Sequence, residues 1–141
     1  MVEQMFVNLP VKNLKRTMKF WQALGFRFNK EFTDEKAASL VLGKNAYAML
    51  VTEKFFKGFL TKKRIVDTRK AIESITALEV GSRGEVDALV KKAKKAGAKM
   101  GKPYDYGYMY GQALEDLDGH AWEFFYMNLN GYRKWRKQQK K

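Results

Sequence analysis

The chain has 141 residues and no cysteine, and its 28 basic residues against 15 acidic ones give a net charge of +13. That length suits one compact domain, or two small modules sharing a core; the missing cysteine excludes a disulfide framework and thiolate chemistry. With 45% apolar residues the composition is not that of a disordered chain, and no apolar run approaches the roughly 20 residues needed to span a bilayer. The opening Met1-Val2-Glu3-Gln4 lacks the basic-then-apolar plan of a secretory signal, so the expectation is a soluble cytoplasmic protein.

Residues 4–9 alternate around Phe6 and Asn8 and predict a strand. Asn13 suits a helix N-cap. After it, Leu14, Met18 and Trp21, with Phe20 and Leu24, form an apolar stripe at helical spacing. Gly25 is placed to end that helix in the left-handed conformation. Residues 26–32 predict a strand, and Thr33-Asp34-Glu35-Lys36 a turn. Residues 37–42 and 46–52 predict two more strands joined at Gly43-Lys44-Asn45. The first half thus reads βαβββ.

Residues 53–73 form a connector. Phe55, Phe56, Phe59 and Leu60 are helix-spaced, while Ile65, Asp67, Arg69 and Ile72 fit either a second short helix or a loop. The second half then repeats the plan. Residues 75–80 predict a strand, and Ser82 with Glu85 three positions later forms a capping box. Val86, Leu89, Val90, Ala93 and Ala96 make the apolar stripe, and Gly97 ends the helix. Residues 98–101 begin a strand that Pro103 closes. The last strands are 111–115 and 121–127, with Asp116-Leu117-Asp118-Gly119-His120 as the turn between them.

Leu9-Pro10-Val11-Lys12-Asn13 in the first half answers Leu78-Glu79-Val80-Gly81-Ser82 in the second. Self-similarity over half a chain fixes the architecture before any local motif does. The predicted organisation is therefore a domain over residues 1–128, built of two modules at about 4–52 and 74–128, followed by a basic tail at 129–141. Tyr132 and Trp135 in that tail are placed to pack back onto the body. The positive charge falls in clusters: Lys91, Lys92, Lys94 and Lys95 on one helix, Lys62, Lys63, Arg64, Arg69 and Lys70 in the connector, and a tail without an acidic residue. Such a balance favours anionic partners.

Three phrases carry a resemblance: Leu9-Pro10-Val11-Lys12-Asn13-Leu14, the run Phe20-Trp21-Gln22-Ala23-Leu24-Gly25-Phe26, and Asp116-Leu117-Asp118-Gly119-His120-Ala121-Trp122-Glu123. Together they resemble the glyoxalase/bleomycin-resistance/extradiol-dioxygenase superfamily, the vicinal oxygen chelate proteins, over residues 4–128. The resemblance implies an α+β fold in which two tandem βαβββ modules form a shared cleft. It also implies a homodimer and, in catalytic members, a divalent metal held from the first and last strand of each module. Carried onto this chain, those four places fall on Phe6, Met49, Ile75 and Glu123. Phe and Ile offer no lone pair and a Met thioether is a soft ligand, so Glu123 alone matches a hard or borderline metal. The expectation is a family member without the usual metal and with no cofactor.

Strand alternation points Phe6, Asn8, Met49, Ile75, Glu123 and Phe125 into the cleft. Tyr104, Tyr106, Tyr108 and Tyr110 alternate with other residues; in an extended segment all four rings would face one side, with Tyr106 and Tyr110 the first candidates to touch a ligand. Glu123 is either a lone acid in an apolar cleft, with a proton-transfer or anchoring role, or an ordering group in the sheet. His120, the single histidine, reads as a surface turn residue. The function expected first is binding of an apolar-aromatic or anionic small molecule. The alternatives are a metal-dependent lyase, isomerase or dioxygenase, and nucleic-acid or acidic-surface association through the tail.

Overall fold

A computed structural model describes residues 1–140; Lys141, the last residue of the basic tail, lies outside the described residues. The chain divides into two compact units. The first comprises Met1–Ile72 and Leu117–His120; the second comprises Glu73–Asp116 and Ala121–Lys141. Each carries a four-stranded mixed sheet with the same strand order, as the internal repeat predicts.

In the first unit, β1 (Met5–Val11) lies parallel to β4 (Ala46–Thr52), and β3 (Ala37–Gly43) and β2 (Arg27–Asn29) follow antiparallel, giving the order β1-β4-β3-β2. The helix α1 (Leu14–Ala23) starts at Asn13, whose side chain accepts from the Arg16 N–H at 3.0 Å, satisfying one of the helix's orphan donors. It ends at Gly25, whose φ of +98° is open to glycine without steric cost. Phe20, Trp21 and Leu24 of this helix are buried together with Val11, Leu40, Ala48 and Leu50 of the sheet. Trp21 meets Phe26 edge-on at 5.2 Å. A short helix, α2 (Glu53–Lys57), opens the connector, and residues 63–74 form no second helix.

The strand expected over 26–32 is shorter. It stops at Asn29, and Lys30–Phe32 form a single 3-10 turn. The cause is local: the Asn29 side chain accepts from the Glu31 N–H, and its carbonyl accepts from the Thr33 hydroxyl. An asparagine that bonds to its own neighbouring backbone competes with the sheet ladder.

In the second unit, β5 (Ile75–Glu79) lies parallel to β8 (Ala121–Met127). β7 (Met109–Glu115) and β6 (Lys99–Asp105) complete the order β5-β8-β7-β6. The helix α3 (Arg83–Lys95) packs across β7 and β8 and buries Val86 and Ala93 with Leu114, Trp122 and Phe124. Ser82 accepts from the Glu85 N–H at 3.1 Å, while the Glu85 carboxylate accepts from the Gly81 N–H at 2.7 Å. The reciprocal cap therefore forms, with its returning bond one residue upstream of the expected place.

Pro103 does not close its strand. β6 runs on to Asp105, with a register shift between Met100 and Pro103. β6 is an edge strand, where proline's missing donor costs no ladder bond. The tail after Asn128 is helical: Asn128 caps α4 (Leu129–Gln139) by accepting from the Gly131 N–H. Tyr132 and Trp135 pack on Tyr108, with ring centroids at 5.4 and 5.1 Å.

Candidate functional site

In each sheet the pleat separates a face buried with the helix from a second face, which is open around Glu123 in the second unit and in the first unit is partly covered, with Ser39 and Val51 buried on it. In the second unit Trp122 and Phe124 go to the helix side, so Ala121, Glu123, Phe125 and Met127 take the other. The register fixes what surrounds Glu123: Ala77 of β5 lies across from it on one side and Ala113 of β7 on the other. The carboxyl is therefore flanked by methyl groups. Ile75 and Phe125 share this face, next to Ala77 and opposite Gly111 respectively.

One polar group reaches the acid. The Tyr104 hydroxyl donates a hydrogen bond to Glu123 Oε1. Its path runs over Gly111, where an added Cβ would fall 2.5 Å from that hydroxyl and 2.7 Å from the Phe124 carbonyl oxygen. Glycine is thus the residue that lets tyrosine and glutamate meet. Burial pushes the Glu123 carboxyl above its ordinary pKa, because desolvation disfavours the charged form.

The four tyrosines do not share one side. Their segment is a hairpin rather than a single extended run: Gly107 takes φ +83° between β6 and β7, and the Tyr106 N–H donates to the Met109 carbonyl. Tyr104, Tyr106 and Tyr108 stack in succession at 5.3 and 6.3 Å, and Tyr106 is 63% exposed. Tyr110 is on the helix side instead. Its hydroxyl donates to Asp87 of α3, a bond that raises its pKa, and the Arg83 guanidinium lies 4.8 Å above its ring. Arg83 also forks onto Asp105 at 2.8 and 2.9 Å, holding that carboxyl at a pKa of about 2. Tyr110 thus joins a cluster that ties α3 to the hairpin, apart from the face that carries Glu123.

In the first unit Phe6, Asn8 and Met49 share the face turned away from the helix. Asn8 and Met49 are register partners, and Met49 also pairs with Ser39. Phe6 stacks on Tyr47 at 4.9 Å with an interplanar angle of 12°.

The motif Asp116-x-Asp118-Gly119 serves structure. Asp116 accepts from the Trp122 indole at 2.8 Å, and Asp118 accepts from the Lys12 N–H at 2.9 Å and the Thr17 hydroxyl at 2.8 Å. Both carboxylates are buried. His120 is half-buried rather than a solvated turn residue, with Nε2 2.6 Å from the Pro10 carbonyl oxygen. A carbonyl only accepts, so Nε2 carries the proton.

Two tandem modules of this topology, each with a helix packed on one sheet face, define a glyoxalase-type fold. The chain belongs to the Glyoxalase/Bleomycin resistance protein/Dioxygenase superfamily, whose sequence profile it matches over residues 4–124. Among solved structures it is similar to a hypothetical protein from S. aureus, at 30% identity and a TM-score of 0.75, covering 89% of this chain and 94% of that one. It is also similar to the fosfomycin resistance protein FosX from Mesorhizobium loti (13% identity, TM-score 0.67, 94% and 98% covered). A third is TnmS3, an antibiotic binding protein from Streptomyces sp. CB03234 (13% identity, TM-score 0.64, 90% and 97% covered). A search of the curated proteins finds no match.

The metal that catalytic members of the superfamily hold does not fit the residues here. Of Phe6, Met49, Ile75 and Glu123, only the last is a hard-metal ligand, and its register neighbours are alanines. Among the described residues no group of three His, Cys, Asp or Glu is placed to hold a metal ion. A divalent metal site usually needs three or four protein ligands.

Proposed function

We propose that this protein binds a small apolar-aromatic or anionic molecule, without a metal, on the open face around Glu123. The observation that carries the reading is the register that sets one desolvated carboxyl between Ala77 and Ala113, with Tyr104 bonded to it. Short side chains leave the acid approachable, and Ile75, Phe125 and exposed Tyr106 supply apolar and aromatic contact area. Phe6, Asn8 and Met49 offer the same kind of surface on the first sheet. Desolvation raises the Glu123 pKa, and its carboxyl, bonded to Tyr104, gives the face one polar anchor among apolar contacts. Two fold relatives are named as an antibiotic binding protein and a fosfomycin resistance protein, and binding without chemistry is compatible with that fold.

The test combines metal uptake with ligand screening. After incubation with Ni, Zn, Mn and Fe(II) and desalting, the purified protein is expected to retain less than about a tenth of an equivalent, since a single carboxylate is a poor site. A thermal-shift screen of aromatic and anionic small molecules should give stabilising hits that weaken in Glu123→Ala and Tyr104→Phe. Near one equivalent of metal, lost in Glu123→Ala, would sink the metal-free reading and favour a lyase, isomerase or dioxygenase.

A second reading has its own observation. α4 exposes Arg133, Lys134, Arg136 and Lys137 beside a 40% exposed Trp135, with no acid on the helix. Cations interleaved with an aromatic suit a nucleic-acid backbone and its bases. Binding of this kind should fall steeply with salt and vanish when residues 131–141 are removed; affinity that survives the deletion rules it out.

A further inference from the structure

The connector holds a second concave surface, separate in residues from the open face of Glu123. A groove of about 570 Å3 lies within the first unit between the connector, the end of β1 and the turn at Asp118–His120. Two hydrogen bonds anchor its walls. The Thr68 hydroxyl donates to the Asp118 carbonyl at 2.6 Å, and His120 Nε2 donates to the Pro10 carbonyl. Gly119, at φ +81°, permits the first of these: an added Cβ would fall 2.8 Å from the Thr68 Cβ. The irregular segment is thus fastened to the body at a fixed point.

The charge of this lining is lopsided. Lys12, Lys57, Lys63, Arg64 and Arg69 line it against Glu53, Asp67 and Asp118. Two of the three carboxylates are already engaged. Asp118 is 7% exposed and accepts from Lys12 N–H and Thr17, and Asp67 is forked onto Arg69 at 3.0 Å. Among the described residues the ion pairs are Arg69–Asp67 and Arg83–Asp105, so Lys57, Lys63 and Arg64 form no ion pair there, while Lys12 is close enough to Asp67 to interact with it electrostatically. A concave wall with an excess of one sign attracts counter-ions. Ammonium groups serve phosphate as point charges, and a guanidinium can fork onto it. The volume lies within the roughly 300–1,000 Å3 usual for small-molecule pockets.

We infer that this groove binds a small molecule carrying two or more phosphate groups, held by Lys12, Lys57, Lys63 and Arg64. The test is calorimetric titration of the full chain, at constant ionic strength, with inorganic pyrophosphate and with orthophosphate. Pyrophosphate should bind more tightly than orthophosphate. The double variant Lys63→Gln/Arg64→Gln should weaken pyrophosphate by about tenfold or more, the loss expected for charge-assisted bonds. The matched variant Lys134→Gln/Arg136→Gln on α4, which removes the same charge elsewhere, should leave it unchanged. Lys12→Gln, at the opposite wall, gives an independent arm with the same expected weakening. Equal losses from the groove and α4 variants would reduce the effect to net charge and overturn the proposal. So would equal affinity for the two anions, or no heat with either.

Discussion

Glu123 and Asp118 are both carboxylates in the Asp116–Glu123 stretch, yet they meet opposite environments. Asp118 is buried among donors, whereas Glu123 has methyl neighbours and one hydroxyl. Because folding raises the pKa of Glu123, ionisation there opposes folding at neutral pH, and that cost disappears as pH falls through the folded-state value. Glu123→Gln, which keeps an acceptor for Tyr104, should raise the melting temperature at neutral pH and lose its advantage in acid; thermal melts across pH check this. Gly111→Ala should destabilise by about 1–3 kcal/mol, the usual cost of overpacking, because the new methyl meets backbone and Phe125. Gly43→Ala, with nothing within 4 Å of its Cβ, should be near neutral, and denaturant titration of both variants checks the contrast. The sequence exposes Glu123 itself through the Asp116–Glu123 motif and strand alternation. It does not expose Tyr104 as its partner, nor Gly111 as the opening between them, since cross-strand register is not a local property.

Helix boundaries are the most legible elements because their signals are local. Asn13, Gly25, Ser82 and Gly97 all stand where the sequence places them, with the cap bonds and positive φ values expected. Ser82→Ala should cost about 1 kcal/mol in equilibrium unfolding, the typical price of an N-cap. The misread elements have non-local or competing causes. β2 stops early because Asn29 turns on its own backbone, β6 continues past Pro103 because it sits at an edge, and the tyrosine run folds into a hairpin about Gly107. That hairpin is tied to α3 by Arg83 on Asp105, with a consequence in acid. Folding depresses the Asp105 pKa to about 2, so its stabilising contribution is present above the ordinary aspartate range and is lost as pH falls towards that value. A carboxyl-carbon NMR titration should give a midpoint near 2 in the native protein, rising towards the ordinary value in Arg83→Gln.

For the molecule as a whole, the repeat is what the sequence states most fully: both halves build a sheet of the same order with a helix on one face. Among the described residues no helix is long and apolar enough to cross a membrane. The family resemblance leads us to expect a homodimer, so light scattering after size exclusion should give twice the chain mass; a single-chain mass would reject it. Ligand identity is not legible in one chain because it depends on a molecule the sequence does not encode, and assembly because a homodimer patch carries no local sequence signal. The turn at Leu117–His120 bears on the history of the repeat. If the two modules descend from one duplicated ancestor, that ancestor had to close its own unit. Here four residues encoded after the second module has begun belong to the first unit, and Asp118 among them supplies acceptors for Lys12 and Thr17. A first half ending at Ile72 would lack those acceptors, so it should be less stable than the same segment within the full chain, as denaturant titration of the two would show.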